Sequence, residues 1–193
     1  YEYQLYCKSL YASIQQFTRD TAKVLRAKSE DEYIDQIMES YPNIHNRLDY
    51  CVISIDPAES KDYDDAFSLQ IINNNKYIIS IYISNVSLWL DALDLWDSFS
   101  ERISTIYLPD RKRPMLPTCL SDCLCSLIEK LRRFAMVCDV EITNNEITNI
   151  SYKNALIKVK KNYTYEEKSL FEDNVYTELH KRVIGLSKQH KFV

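Results

Sequence analysis

The sequence has almost no glycine: Gly185 is the only one among its 193 residues. Turns that need a left-handed backbone must therefore use Asn, Asp or Ser, and the run Asn73–Asn75 between two apolar segments is predicted to be such a turn. No apolar run approaches the roughly 18–20 residues of a membrane-spanning helix, and no signal peptide is visible. We therefore expect no membrane partner.

Cysteines are present, but their spacing is not that of a disulfide framework. No Cys-x-x-Cys pair occurs, and the three histidines lie far in sequence from the cysteines at 119–125, which argues against zinc. We interpret the cysteines as reduced thiols of an intracellular, cytoplasmic protein. The six are Cys7, Cys51, Cys119, Cys123, Cys125 and Cys138. The net charge of −4 gives no global argument for nucleic acid binding, so any such argument must be local.

The chain begins with helical patterns. Apolar residues recur at helical spacing from position 3 to about 28, and Ser29 is the predicted N-cap of a second, short helix. The composition then changes to strand patterns. We therefore predict an N-terminal helical segment at 1–45 and a second domain at 46–193.

The second domain reads as a sheet with helices. "CVISI" is a predicted strand, and "AFSLQII" and "KYIISIYIS" are the two strands of a hairpin. A helix is predicted at 86–105 and a shorter one at 118–133, followed by strands that turn at Asn144–Asn145. The chain then ends mostly as helix. The predicted fold class is α+β, with a mostly antiparallel sheet and flanking helices.

The stretch "ISIDPAESKDYDDAFS" contains four aspartates within a span of ten positions: Asp56, Asp62, Asp64 and Asp65. Each carboxylate raises the cost of ionising its neighbours, so the cluster indicates a need for positive charge. A loop can turn several carboxylates toward one point, and Mg²⁺ prefers such an oxygen shell. A calcium-binding EF-hand matches less well, because the central Gly and the terminal Glu are missing. A solvated acidic turn remains an alternative.

The same stretch resembles the signature D-P-x-x-x-x-D-x-D-D-A of the ribonuclease II (RNB-domain) exoribonucleases. The resemblance continues in register through "IYISNVSLWL" and "RISTIYLPDRKRPMLPTCLSDCLCSLIEKLRRFAMVCDVEI", with "NRLDY" upstream and "ALIKVKKNYTYEE" downstream. It covers about residue 46 to the end of the chain. The fold that it implies is the N-terminal portion of an RNB catalytic domain, without its C-terminal half.

This resemblance implies a processive, metal-dependent hydrolase that degrades single-stranded RNA from the 3′ end and releases 5′-monophosphates. Asp56 and Asp65 resemble the principal Mg²⁺ ligands, and Asp62 resembles a further ligand in the same shell. Asp64 resembles the carboxylate whose loss most damages catalysis. Mn²⁺ would suit the same oxygen shell.

The resemblance also implies residues that bind RNA. Tyr107 matches the aromatic residue that stacks on a base near the RNA 3′ end, with a core tyrosine as the alternative. Arg102 and Arg111 could hold phosphates, whereas Lys112 and Arg113 are better explained as a solvated face. The segments "PMLP" and "LCSL" are expected to pack beneath the site and to hold Tyr107 and the aspartate loop in place.

The sequence departs from the family at Tyr82 and Asn85, where His and Asp are common. Asn accepts a hydrogen bond but supplies no charge. A motif of the family's second half, whose arginine stabilises charge on the reacting phosphate, is missing, and so are the OB-fold modules that grip RNA. The chain starts at Tyr1 rather than Met, which fits part of a longer gene product.

Three hypotheses follow from this pattern. In the first, the chain is a segment of an active RNB-type exoribonuclease. In the second, it is a shortened RNB-like protein that binds RNA or metal but cuts slowly or not at all. In the third, it is a structural or interaction subunit whose N-terminal helices dock a protein partner. The four retained aspartates and Tyr107 favour the first hypothesis, and the missing arginine favours the others for this chain taken alone.

Overall fold

The structure, a computed structural model, describes residues 14–100, 104–107, 109 and 112–189. The helices are α1 (Ile14–Leu25), α2 (Glu30–Ser40), α3 (Val86–Ala92), α4 (Trp96–Ser100) and α5 (Asn174–Gln189). The strands are β1 (His45–Asp56), β2 (Asp65–Asn73), β3 (Lys76–Ser84), β4 (Ile106–Tyr107), β5 (Lys112–Arg113), β6 (Arg132–Thr143) and β7 (Glu146–Thr164). In this described part of the chain, no helix is both long and apolar enough to cross a membrane.

Helix α2 begins at the predicted N-cap. The Ser29 side chain accepts a hydrogen bond from the Glu32 N–H at 3.3 Å, and the Glu32 carboxylate accepts one from the Ser29 N–H at 2.7 Å. This capping box satisfies two backbone donors that would otherwise lack partners at the start of the helix. The prediction of Ser29 as the N-cap is confirmed.

Asparagines form the turns of two hairpins. Asn144 and Asn145, between β6 and β7, have φ values of 53° and 62°, a left-handed conformation that Asn tolerates better than most residues. Between β2 and β3, the Asn73 Oδ1 accepts hydrogen bonds from the N–H groups of Asn75 and Lys76 at 2.9 and 2.8 Å. Both predicted turns are confirmed.

Strands β1, β2, β3, β6 and β7 form a closed barrel in which each strand pairs with the next. The consecutive pairs are antiparallel, and the closing pair of β7 with β1 is parallel. Five strands that alternate in direction leave the first and the fifth pointing the same way, so the ring can close only through a parallel pair. The predicted α+β class with a mostly antiparallel sheet is confirmed, whereas its closure into a barrel was not predicted.

The barrel belongs to a compact unit formed by Asn43–Asn85 and the chain from Ser126 onward. Helix α5 packs against this barrel through Val175 and Tyr176, which lie against a cluster around the buried Ile53. Small and branched side chains dominate the main core cluster, as is usual in a narrow barrel. Its buried members are Val52, Ala66, Tyr82, Leu127, Ala135, Val137, Ala155, Ile157 and Val159.

A charged network is also buried in this unit. The Arg47 guanidinium donates to both carboxylate oxygens of Asp139, at 2.8 and 2.5 Å, while Lys153 donates to one of them at 2.9 Å. Ser80 donates to the other at 2.7 Å. Burial alone would raise the pKa of Asp139, but these hydrogen bonds outweigh it and hold the pKa well below its ordinary value. Asp139 is therefore a buried carboxylate that stays ionised because of its hydrogen-bond partners.

The second compact unit contains α1, α2 and the segment Val86–Cys125. Within it, the Ser98 hydroxyl donates to the Asp20 carboxylate at 2.8 Å, and the Tyr41 hydroxyl donates to Asp91. The π-helical turn Cys119–Leu124 lies in this segment and is the part of the helix predicted at 118–133 that is present; residues 125–131 are not helical, and β6 begins at Arg132. The predicted boundary between positions 45 and 46 stays a prediction.

The helical pattern at 86–105 forms two helices, α3 and α4, rather than one continuous helix; residues 101–103 lie outside the described residues, and 104–105 are not helical. Asp94 lies between α3 and α4 with a φ of 53°, and the Leu95 N–H donates to the Leu90 carbonyl group at 2.9 Å. A left-handed residue with such a closing bond is a common way to end a helix. The helix resumes as α4 at Trp96, so apolar residues recur at helical spacing on both sides of the break.

Candidate carboxylate site

The four predicted aspartates flank one loop at the end of the barrel. Asp56 is the last residue of β1 and Asp65 is the first residue of β2, so barrel strands fix both ends of the loop. Asp62 and Asp64 lie in the irregular segment between them. Asp56 is only 9% exposed, Asp62 is half-buried, and the other two are exposed. The structure therefore places all four aspartates in one loop and at the two strand ends that flank it.

Asp56 has a buried oxygen without a partner. Its Oδ2 is shielded from solvent and accepts no hydrogen bond from the described part of the protein. Burial raises the pKa of Asp56, and a hydrogen bond with Ser54 opposes this shift. The charges of the other three aspartates raise the pKa further, so that it lies above its ordinary value. Because an unpaired buried oxygen is costly, this is a position where a cation would supply the missing partner.

The same repulsion acts on Asp64. Partial removal of its carboxyl group from water raises its pKa, although the residue as a whole is exposed. The charges of Asp62 and Asp65 raise it further. The neighbouring carboxylates thus disfavour ionisation of Asp56 and Asp64, and a divalent cation among them would relieve that repulsion.

The donor types at the site fit a hard divalent cation, since Mg²⁺ and Mn²⁺ prefer carboxylate and water oxygens. The arrangement itself is less complete. Among the described residues, no three or more His, Cys, Asp or Glu side chains are grouped so as to hold a metal ion. The geometry therefore shows a carboxylate cluster with one unpaired buried oxygen, and its use of a metal belongs among the proposals.

The aspartate loop is held at its centre by the "LCSL" segment. The Tyr63 N–H donates to the Ser126 Oγ at 2.9 Å, and the Leu127 N–H donates to the Tyr63 carbonyl group at 2.8 Å. A third bond runs from the Ser84 N–H to the Asp64 carbonyl group at 2.9 Å. The loop is thus positioned by hydrogen bonds of its own backbone groups to two neighbouring segments. The predicted packing of "LCSL" beneath the site stays a prediction, and the contacts seen are these two hydrogen bonds of Ser126 and Leu127 to Tyr63.

Sequence reasoning missed Asn162, a residue of β7 that supports the same region. Its Nδ2 donates to the Ser54 Oγ at 2.7 Å and to the Leu127 carbonyl group at 3.0 Å. Its Oδ1 accepts from the Glu129 N–H at 2.7 Å. The one signal in the sequence is an Asn inside a strand pattern, where Asn is uncommon.

The predicted RNA-binding residues are only partly described. Tyr107, in β4 opposite Lys112 of β5, is 79% exposed. The alternative of a core tyrosine is therefore wrong, and the aromatic ring is available to a ligand. Arg102 and Arg111 lie outside the described residues, so their predicted contacts with phosphate stay predictions.

The two departures from the family pattern are both buried. Tyr82 is fully enclosed in the core cluster, and its hydroxyl group shares a 2.8 Å hydrogen bond with the Ser68 hydroxyl group. The Asn85 Nδ2 donates to the Asn154 Oδ1 at 3.0 Å, and its N–H donates to the Phe134 carbonyl group at 3.1 Å. Both residues thus have packing roles, and neither is needed to explain the position of the aspartates.

Comparisons with known proteins converge on one family. The model of the RNB domain matches residues 45–186. Ribonuclease R of Ureaplasma parvum is 34% identical over 158 residues, which are 76% of this chain but only 21% of that protein. The chain therefore spans about a fifth of the length of this curated relative.

Solved structures share the fold. A structure of Mycoplasma genitalium RNase R in complex with ribose-methylated single-stranded RNA matches 76% of this chain and 24% of that one, with 26% identity and a TM-score of 0.60. Yeast Ssd1, described as a pseudonuclease, matches 75% of this chain and 19% of its own, with 15% identity and a TM-score of 0.59. The likeness to Ssd1 concerns the fold alone.

Proposed function

We propose that the protein is an exoribonuclease that hydrolyses single-stranded RNA from the 3′ end. The premise is that this chain belongs to the RNB domain family. The products would be 5′-monophosphates. The observation that carries the proposal is the buried, unpaired Oδ2 of Asp56 at the edge of a cluster of three further aspartates. A solvated acidic turn would leave that oxygen in water.

We assign the ligand role to three of the four carboxylates. Asp56, Asp62 and Asp65 would hold Mg²⁺, with Mn²⁺ as a substitute that the same oxygen donors accept. When bound, the cation would activate water and stabilise the leaving 3′ oxygen of the RNA. The three side chains would orient it at the loop, where Asp56 contributes the oxygen that lacks a protein partner.

Asp64 has a different proposed role. It is exposed and is not one of the three carboxylates assigned to the cation, so its carboxylate can act on water. Its carbonyl group accepts the bond from the Ser84 N–H, so the backbone of this residue is held in place. We infer that the Asp64 carboxylate orients the attacking water and accepts its proton.

Tyr107 is the proposed contact for the RNA bases, because its exposed ring offers a stacking surface that tolerates any sequence. Replacing Tyr107 by Ala is expected to weaken binding of single-stranded RNA by about 1–3 kcal/mol. The measurement is a fluorescence-anisotropy titration of labelled oligonucleotides with the full-length protein, performed in EDTA so that cleavage does not interfere.

Two control variants sharpen this prediction. Tyr107→Phe keeps the stacking surface and should bind nearly as the wild type does. Tyr152→Ala removes a tyrosine of similar exposure, 72%, from the outside of the barrel and should leave affinity unchanged. Equal affinity of Tyr107→Ala and wild type would remove Tyr107 from the RNA-binding surface.

The proposed activity is tested by a time course of the full-length protein on RNA with a 5′ label. With Mg²⁺, we expect a ladder of labelled products that shortens progressively from the 3′ end, and with EDTA we expect intact RNA. A circular RNA of the same sequence, which has no 3′ end, should resist. Cleavage of the circle, or cleavage that continues in EDTA, would contradict the proposal.

A second candidate function is an RNB-like protein that binds RNA, or a protein partner through its N-terminal helices, without cutting. The time course separates the candidates. RNA that stays intact with Mg²⁺, while the same protein binds it in the anisotropy titration, would replace the exonuclease proposal by this one.

A further inference from the structure

Asn162 lies in the strand pair that closes the barrel, directly opposite Ser54 in the parallel register of β1 and β7. Side chains of a strand alternate between its two faces, so Asp56 projects from the same face of β1 as Ser54. Ser54 is fully buried. Asn162 is therefore placed to act on Asp56 through a single intervening side chain.

Hydrogen bonds use all the donors of the Asn162 amide. One Nδ2 hydrogen serves the Ser54 Oγ at 2.7 Å and the other serves the Leu127 carbonyl group at 3.0 Å. The Oδ1 accepts from the Glu129 N–H at 2.7 Å. Turning the amide over would set its oxygen against the Leu127 oxygen and its nitrogen against the Glu129 N–H, so only one orientation satisfies the three partners.

The bond to Ser54 determines what the Ser54 hydroxyl group can do. Because its Oγ accepts from Asn162, its single hydrogen is directed elsewhere. Asp56 follows two residues later on the same face of β1, so the oriented Ser54 hydroxyl group lies beside that carboxylate. The Oδ2 stays without a protein partner.

The bond to Leu127 reaches the other side of the aspartate loop. Leu127 donates its N–H to the Tyr63 carbonyl group, and the adjacent Ser126 accepts from the Tyr63 N–H. Tyr63 lies between Asp62 and Asp64 in the sequence. A single amide therefore joins the segment that holds the middle of the loop to the serine that neighbours Asp56 on the same face of β1.

We propose that Asn162 is a positioning residue that sets the spacing between Asp56 and the Asp62–Asp65 part of the loop for a shared divalent cation. The inference rests on the proposed function, since it assumes that these carboxylates bind a cation. Side chains that orient metal ligands from behind commonly influence metal affinity by 10–100-fold. Asn162 would act in this way without contacting the metal or the RNA.

The test measures Mn²⁺ binding to the full-length protein by electron paramagnetic resonance, without RNA and without turnover. The signal that disappears in the Asp56→Asn variant identifies the site. Asn162→Ala is expected to weaken Mn²⁺ binding at this site by about 10-fold or more. Asn149→Ala is the matched control, because it removes an exposed Asn of the same strand that bonds to Glu141, and it should bind Mn²⁺ as the wild type does.

A second variant covers the case in which Asn162→Ala does not fold. Asn162→Thr places a strand-forming residue with one hydroxyl donor at the position, so it can replace one of the two donated bonds. We expect Asn162→Thr to bind Mn²⁺ more weakly than the wild type does. If Asn162→Ala folds, the affinity of Asn162→Thr should lie between those of the wild type and Asn162→Ala. A double-mutant cycle with Ser54→Ala should show non-additive losses, because both changes interrupt the same chain of bonds.

The outcomes separate this inference from the proposed function. Absence of the Asp56-dependent Mn²⁺ signal from the wild-type protein would overturn the proposed metal site, and the positioning role with it. Wild-type binding at the site, with the same affinity in folded Asn162→Ala or Asn162→Thr, would overturn the positioning role alone. Weaker binding in the Asn162 variants together with unchanged binding in Asn149→Ala supports it.

Discussion

The Asp64→Asn variant is expected to lose RNA hydrolysis by about 100-fold or more, the scale on which removal of one oriented polar group in an active site acts. Asn has nearly the shape of Asp but cannot accept a proton at neutral pH. The backbone bond from the Ser84 N–H to residue 64 does not involve the side chain and should persist. Binding of single-stranded RNA should therefore remain close to that of the wild type.

The measurement combines single-turnover cleavage with a binding titration in EDTA. Glu59→Gln is the matched control, because it neutralises an exposed acid of the same loop that is not one of the four aspartates. It should cleave RNA at nearly the wild-type rate. If the Asp64→Asn variant still cleaves RNA at a rate comparable to that of the wild type, the Asp64 carboxylate takes no part in hydrolysis.

The Arg47→Met variant is expected to lower the free energy of unfolding by about 3–5 kcal/mol, the usual cost of removing one partner from a buried ion pair. Arg47 supplies two of the hydrogen bonds that keep Asp139 ionised inside the protein. Met fills part of the same volume but leaves a buried carboxylate short of donors. The loss should be measured by denaturant unfolding.

Lys153→Met is the control for this prediction. It removes another cation from the same carboxylate, but Lys153 is 34% exposed on its side chain, so water can replace it. We expect a loss of about 1 kcal/mol or less. Equal losses of unfolding free energy in the two variants would mean that burial does not make the Arg47–Asp139 pair more stabilising than the Lys153–Asp139 pair.

The difference between wild type and Arg47→Met should also depend on pH. In the wild type the pKa of Asp139 is lowered, so its contribution to stability is complete above the pKa of an unfolded Asp, about 3.9. That contribution is lost progressively as the pH drops from there toward the lowered pKa of the folded state. The variant lacks most of it at any pH, so the difference should be largest near neutrality and should shrink in strong acid.

Local features of the fold were predictable because their causes lie within a few residues. The capping box of Ser29 and the turn at Asn144–Asn145 follow from residue types at fixed spacing. The break at Asp94 was missed because apolar periodicity continues on both sides of it, and Asp is only one of several residues that adopt a left-handed conformation. Closure of the barrel was missed because the pairing of β1 with β7 leaves no trace in local sequence.

The site was predictable to a similar extent. The spacing of the aspartates identified the loop, but their burial depends on the barrel around them, and only Asp56 is enclosed. The exposure of Tyr107 likewise depends on packing that periodicity does not specify. Asn162 acquires its importance from lying beside Ser54, and that proximity exists only after the closing strands have paired.

The parallel closing pair also determines when the site can form during synthesis. Ser54 and Asn162 are 108 residues apart in sequence, and the bond between them joins the first and last strands of the barrel. Contacts over such separations form late and slowly, because a long loop must close before they stabilise anything. A nascent chain that has left the ribosome only up to β6 therefore carries all four aspartates without the bond from Asn162 to Ser54. The proposed support of the aspartate loop from β7 forms only when the last strand docks.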